Sequence, residues 1–488
     1  MRSPKTTRLL AAAVSVLLVG TACAAPAASP EAAARWRPPA DGLRWGPCAD
    51  DATQDCAVLR VPIDWANPGG AQVDLNVRRI RAADPAKRIG VLVLKGGLPL
   101  TEPTRRLREH FDFVSYRAKP EKTCWIRGPL VPQFPASQAE FEVVRAGMRT
   151  WYEQCARQTG IGFQHDNSAA QARDVDAIRA AMGEDTISFM HTWENEIVGQ
   201  LYAELFPHRV RAMVLDGNLD HSVRTAEEYM STKAGSVEST FVGFARWCDL
   251  SPACELHGRD VSGIYHELRA RTERGEVGPF TPIDLSAYVG AAGDYPDASF
   301  GRLSESFRHL YEESSPATAA PRLGPARPAA PAATAGEPLV YPTGVGRGLS
   351  FGHFCQDWNL PIRDYAELQR IVAAQAVKAP HVRINQNQYL NVVGCAGWPF
   401  AVGNPTHRLR ITTPLPVLVV HGRYAPGQPV EWAESVAEQI PGSTRLLYEG
   451  PGTLAYRESD CVRTSVDDFL ISLRRPARDT CPPVWPTR

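Results

Sequence analysis

The segment Asp185-Thr-Ile-Ser-Phe-Met-His-Thr-Trp-Glu-Asn-Glu-Ile-Val-Gly-Gln200 is the most informative part of the 488-residue chain. Ahead of it, Ala170 to Met182 carries apolar residues at helical spacing and closes at Gly183. Thr186 to Met190 is a short run of strand formers. A second helix is expected from about Glu196 to Leu205, stopped by Pro207, and Arg209 to Asp216 reads as the next strand. Helix, strand, sharp turn, helix, strand is the frame of a nucleophile elbow, whose turn reads G-x-S-x-G. Here the turn reads His191-Thr192-Trp193-Glu194-Asn195. Trp193 takes the nucleophile position, and both glycines are replaced.

Working outward, the flanking segments supply a sheet. Cys56 to Asp64 is a strand, and Gln72 to Arg81 alternates Val73, Leu75 and Val77 with polar residues, as a half-exposed strand does. Ile89 to Leu94 is a continuous apolar run of the kind found in buried parallel strands, and Phe111 to Tyr116 is the next. From about 222 to 410 helical segments dominate: Thr225 to Trp247, Val261 to Glu273 and Asp364 to Val377, with an Ala/Pro-rich loop from Ser314 to Glu337. The sheet pattern resumes at Leu415 to Gly422, followed by a helix at Glu431 to Gln439, a strand at Thr444 to Tyr448 and a helix from about Cys461 to Leu473. These runs predict a mostly parallel sheet with helices on both faces, residues 41–221 forming its first part and 411–488 its second. Residues 222–410 would be an inserted helical cap. That order is the α/β-hydrolase plan.

The charges balance, 53 basic against 53 acidic residues, which argues against a nucleic-acid partner. Residues 1–24 read as an export signal: Arg2, Lys5 and Arg8 precede an apolar run from Leu9 to Val19. Two processing routes fit. Ala22-Cys23-Ala24 is a small-residue release site, and Ala22-Cys23 also resembles a lipobox, with Cys23 as the lipidation candidate and Gly20 as the departure from that pattern. A lipid at Cys23 is the only membrane contact expected. Residues 25–40 form an Ala/Pro-rich tether.

The chain has eleven cysteines, and an exported protein is expected to pair them. With Cys23 set aside, local spacing suggests Cys48 with Cys56, Cys248 with Cys254 and Cys461 with Cys481. Cys124 with Cys155 and Cys355 with Cys395 would complete the set, although spacing alone does not dictate connectivity. No C-x-x-C pair or histidine cluster points to a metal, and no cofactor is expected.

Several framework segments carry a more specific likeness: Leu43 to Cys48, Val61 to Trp65, Ala172 to Arg179, Gly199 to Ala203, Phe206 to Val210, Val214 to Gly217, Pro416 to Val420 and Ser459 to Val462. With them the chain resembles the secreted actinobacterial tripeptidyl aminopeptidases of the α/β-hydrolase family over about residues 40–485. The resemblance implies a Ser-Asp-His triad, a cap that recognises an amino terminus, and substrates that are peptides with a free N-terminus. It also places the triad serine at Trp193, the acid at Ala425 and the histidine at Thr453. The family's oxyanion loop corresponds to Gly96, Gly97 and Leu98, followed by Pro99, and its D-P-R-G turn to Arg117-Ala-Lys-Pro120.

The replacements remove the chemistry. An indole has no lone pair with which to attack a carbonyl, a methyl group cannot orient an imidazolium, and a threonine is no base near neutral pH. Pro99 removes a backbone N–H where oxyanion donors are wanted. Glu194 and Glu196 read as first-turn acids favoured by the helix dipole, Asp216 and Asp220 as framework residues, and His421 as a satisfied structural histidine. The sequence therefore predicts a catalytically silent relative of the serine aminopeptidases that retains peptide or partner binding. The alternative is an active serine exopeptidase with its nucleophile elsewhere.

Overall fold

The computed structural model describes residues 36–96, 104–117, 124, 128–129, 131–192, 197–278, 280–312, 348–358 and 360–487. The export signal, Cys23, Gly97, Leu98, residues 118–120, Trp193, Glu194, Asn195, Glu196 and the 314–337 stretch lie outside them.

The first half of the chain forms β1 (Gly46–Pro47), β2 (Asp55–Pro62), β3 (Gln72–Ile80), β4 (Gly90–Gly96), α1 (Arg105–His110), β5 (Phe111–Tyr116), α2 (Gln138–Thr159), α3 (Ser168–Ala181), β6 (Ile187–Thr192), α4 (Val198–Leu205) and β7 (Val210–Asp216). Among the described residues, seven helices separate β7 from the next long strand: α5 (Ala226–Leu250), α6 (Val261–Glu273), α7 (Pro282–Asp294), α8 (Pro296–Glu312), α9 (Gly348–Asp357), α10 (Tyr365–Lys378) and α11 (Gln386–Cys395). The sheet then resumes with β8 (Val417–Tyr424), α12 (Val430–Gln439), β9 (Thr444–Pro451), α13 (Ala455–Glu458), α14 (Asp460–Ser472) and β10 (Thr480–Cys481).

These ten strands form one sheet in the order β1-β2-β3-β5-β4-β6-β7-β8-β9-β10. The N-terminal hairpin is antiparallel and pairs with β5, whereas every neighbouring pair from β5 onward is parallel. The parallel strands are buried on both faces, which is why they read as unbroken apolar runs. Alternate side chains feed two cores. Val93, Phe189, Leu215 and Val419 pack with α2, α3, α4 and α12, while Leu92, Met190, Val214 and Leu418 pack with α1 and α14. This is the α/β-hydrolase fold. β6 runs two residues further than the sequence pattern suggests, because Thr192 still pairs with Gly96 on one side and Asp216 on the other.

Helices α5 to α8 enclose a hydrophobic cluster of their own around Phe241, Trp247, Leu268, Val289 and Phe307. Phe354, Trp358, Ile371 and Val392, by contrast, join the main core beside the sheet. The two bodies are stitched together by the chain's last described stretch. Cys461–Cys481 anchors β10, Tyr448 Oη donates to the Val484 carbonyl at 3.0 Å, and Trp247 Nε1 of α5 donates to the Pro486 carbonyl at 2.8 Å. Trp485 packs against the cap cluster.

All five disulfides join the suggested partners: Cys48–Cys56, Cys124–Cys155, Cys248–Cys254, Cys355–Cys395 and Cys461–Cys481. Five disulfides suit an oxidising compartment and support export. Among the described residues no helix is long and apolar enough to cross a membrane.

Candidate functional site

The chain reverses direction across the sheet between β4 and β6, since β5 lies outside β4 while β6 and β7 extend the other way. In open α/β sheets ligands bind beyond the carboxyl ends of the strands at such a switch point. The register brings those ends level: Gly96 pairs with Thr192, Thr192 with Asp216 and Asp216 with Val420. The elbow and oxyanion positions follow β6 and β4 at this point. Of them only Gly96, the last residue of β4, is described.

Ala425 and Thr453, the positions the resemblance gives to the acid and the base, follow β8 and β9, on turns that both approach Gly422. A Cβ placed on Gly422 would lie 3.5 Å from the Ala425 methyl and 2.9 Å from the Gly452 carbonyl oxygen. Ala425 and Thr453 are both buried, 1 % and 3 % exposed. The cap presses directly on these turns. Gly243 of α5 and Gly293 of α7 leave no room for a side chain, since a Cβ there would meet Tyr424 at 2.7 Å and Pro426 at 3.0 Å. Thr240 Oγ1 donates to the Tyr424 carbonyl at 3.2 Å.

Thr453 does not face an empty site. Its hydroxyl donates to Asp294 Oδ1 of α7 at 2.7 Å. Burial pushes the Asp294 carboxyl up to about 6, with the Thr453 hydrogen bond opposing the shift. Two further carboxyls lie alongside. Asp216 is fully buried, accepts from the Ala455 and Tyr456 N–H groups at 3.2 and 2.8 Å, and is pushed up to about 6 by burial. Glu458 is pushed up to about 7, by burial and then by the charge of Asp297. Lys233 of α5 is also buried, donates to the Gly427 carbonyl and faces the Trp432 ring at 5.1 Å. Burial brings its ammonium down to about 7.

Asp220 is a framework residue, accepting from Ser222 N at 2.9 Å and Gln439 Nε2 at 3.0 Å. His421 corrects an expectation: it is structural but not satisfied. Neither ring nitrogen has a hydrogen-bond partner of normal geometry among the described residues. Burial drives its pKa down to about 4, against a weaker opposing effect of the Gln428 backbone. His421 is an uncharged core residue of β8.

A serine, a histidine and an aspartate do meet elsewhere. Ser168 Oγ lies 2.7 Å from Asp357 Oδ2 and 3.3 Å from His353 Nε2, and His353 Nε2 lies 3.0 Å from Asp357 Oδ2. Sequence reasoning missed this group because Ser168 and Asp357 stand 189 positions apart, and only their spatial contact marks them. It is not a catalytic triad. In a triad the imidazole stands between the two oxygens and uses both nitrogens. Here one nitrogen faces both partners, while Nδ1 faces Gln171 Nε2 at 3.4 Å and Asp166 Oδ1 at 3.7 Å. Ser168 and Asp357 have no solvent exposure. Asp357 also accepts from Ser168 N at 3.0 Å and Asn404 Nδ2 at 2.7 Å, and Ser168 Oγ accepts from Ile197 N at 3.2 Å. The group ties the start of α3, the end of α9 and the entry to α4 into one knot. Burial alone would strip the His353 proton, but the Asp357 and Asp166 carboxylates outweigh it and hold the pKa well above the usual histidine value.

Residues 379–482 match the family described as TAP-like protein. Over 492 aligned residues the chain is 27% identical to the tripeptidyl aminopeptidase of Streptomyces lividans, covering 91% of this chain and 87% of that one. Carboxylesterase B of Mycobacterium tuberculosis is 27% identical over 469 residues, 86% of this chain and 84% of its own. Serine protease Hip1 of the same organism is 27% identical over 259 residues, 46% and 49% of the two chains. The chain has the α/β-hydrolase fold and, over most of its length, resembles tripeptidyl aminopeptidases.

Proposed function

We propose that this chain is an exported, catalytically silent relative of the serine aminopeptidases, keeping their fold and their peptide-binding seam without their turnover. The observation that carries the reading is the Thr453–Asp294 bond. The position of the triad base holds a hydroxyl engaged with the cap, next to a buried methyl at the acid position. The base position carries no imidazole, and position 193 offers an indole in place of a nucleophile. The ligand class is a peptide with a free amino terminus, as the names of the relatives indicate, and the buried carboxyls beneath the cap are the groups suited to an ammonium. Anchoring through a lipid on Cys23 is part of the same proposal.

The test is fluorophosphonate labelling beside hydrolysis of an N-terminal tripeptide amide. Wild-type protein should neither label nor cleave. Trp193→Ser alone should stay inactive, because the nucleophile, base and acid act as a unit, and loss of one already costs on the order of a million-fold in turnover. Activity should return only on a combination that includes Ala425→Asp and Thr453→His with a rebuilt elbow and oxyanion loop. Inhibitor-sensitive cleavage by wild-type protein would overturn the reading. If Ser168→Ala then abolished that cleavage, the buried Ser168 group would become the nucleophile site.

A further inference from the structure

A groove of about 490 Å³ opens between helices of the cap and Phe134 and Pro135, which precede α2. One wall is α10, which turns Leu368, Val372 and Ala376 toward it at helical spacing, with Tyr365 at the head of the same stripe. Eleven residues of helix make a straight apolar track about 16 Å long. Ile384 lines the far side, and the groove's lining contains no carboxylate.

Two guanidinium groups also line it, and they differ. Arg269 is paired with Glu273 at 2.9 Å. Arg383 is exposed and makes no ion pair with any described residue. Its backbone is left-handed, φ 65°, in a residue that is not glycine. Such a conformation costs on the order of 1–2 kcal/mol and persists only where the surroundings impose it. The surroundings do so here. His381 N and Val382 N donate to Glu238 Oε2 at 3.1 Å, Arg383 N to the Ala379 carbonyl at 2.8 Å, and Asn385 N to Gln375 Oε1 at 3.3 Å; Ser286 Oγ donates to the Ile384 carbonyl. The backbone of the segment is thus held on both sides of Arg383, and among the described residues no carboxylate pairs with the Arg383 side chain.

We infer that the groove binds a linear acyl chain ending in one carboxylate, a free fatty acid, with the chain along α10 and the carboxylate on Arg383. A straight apolar track fits an unbranched chain, and one uncompensated guanidinium matches one carboxylate in bidentate fashion. The inference is independent of the proposed function.

Calorimetric titration of the full chain with dodecanoate and octanoate, both below micelle formation, tests it. Binding should be saturable at one site, with affinity falling about fourfold per methylene removed. Arg383→Ala should weaken dodecanoate about tenfold or more, and Arg383→Glu should turn the preference toward dodecyltrimethylammonium. Ala376→Trp should block the track, with circular dichroism confirming the fold. Absence of binding, equal binding of the cationic amphiphile by wild-type protein, or unchanged dodecanoate affinity in Arg383→Ala would overturn the inference. So would binding of a short acidic peptide in place of the fatty acid.

Discussion

Replacing Asp294 with asparagine isolates the seam between cap and sheet. The amide keeps an oxygen for the Thr453 hydroxyl, so the 2.7 Å contact survives while the titration is lost. In the folded protein the Asp294 pKa is about 6, against 3.8 for the free side chain. The folded state therefore binds more protons than the unfolded state between those values, and stability falls as pH rises through that window. Taking one pH unit as about 1.4 kcal/mol, ionising Asp294 removes about 2 kcal/mol of stability between pH 4 and pH 8, most of it before pH 6. Asp294→Asn abolishes that share. Chemical unfolding of both proteins at pH 4 and pH 8 measures it, because the difference between them, taken across pH, cancels every other titrating group to first order. The variant should gain on wild type by about 2 kcal/mol at pH 8 relative to pH 4. Parallel pH dependences within about 0.5 kcal/mol would refute the reasoning, and Asp294 would then be solvated enough to ionise freely.

Asp357→Asn should be among the most damaging single changes, costing about 3–5 kcal/mol in unfolding free energy, because it leaves the His353 charge buried beside a half-satisfied Ser168; a loss under about 1 kcal/mol would contradict the knot. Thiol titration of denatured, unreduced protein lacking residues 1–23 should find no reactive group, and two or more per chain would contradict the pairing.

The strands that hold the site were legible because parallel strands buried on both faces must be apolar throughout, as Ile89 to Leu94 and Val417 to Val420 are. Their boundaries were less so, because the pairing of Thr192 with Gly96 and Asp216 is set by neighbours distant in sequence. Helix α2 was as legible as any but went unread, although Phe141, Val144, Met148, Trp151, Tyr152 and Cys155 fall on one buried face. Ala425 and Thr453 were named in the sequence only through the family resemblance, from the framework segments Pro416 to Val420 and Ser459 to Val462 that flank them. The partner of Thr453 was not legible: Asp294 reaches it from a helix 159 positions away, and no local pattern announces that contact. The same holds for His353 and Ser168. A buried polar group advertises its type in the sequence but not its partner.

The strap formed by residues 480–486 bears on how the molecule assembles. Trp247 and Pro486 are 239 positions apart, so the contact between the cap's hydrophobic cluster and the strap is long-range in sequence. Such contacts require the intervening loop to be closed before they return any stability, and they form late. The helices of the cap pack through their own contacts, whereas Trp485, which packs against their core, belongs to the stretch that follows β9. Without that stretch the cap's cluster would lack both the packing of Trp485 and the Trp247–Pro486 hydrogen bond, so the last residues of the chain belong to the core of a domain that begins more than 200 positions earlier.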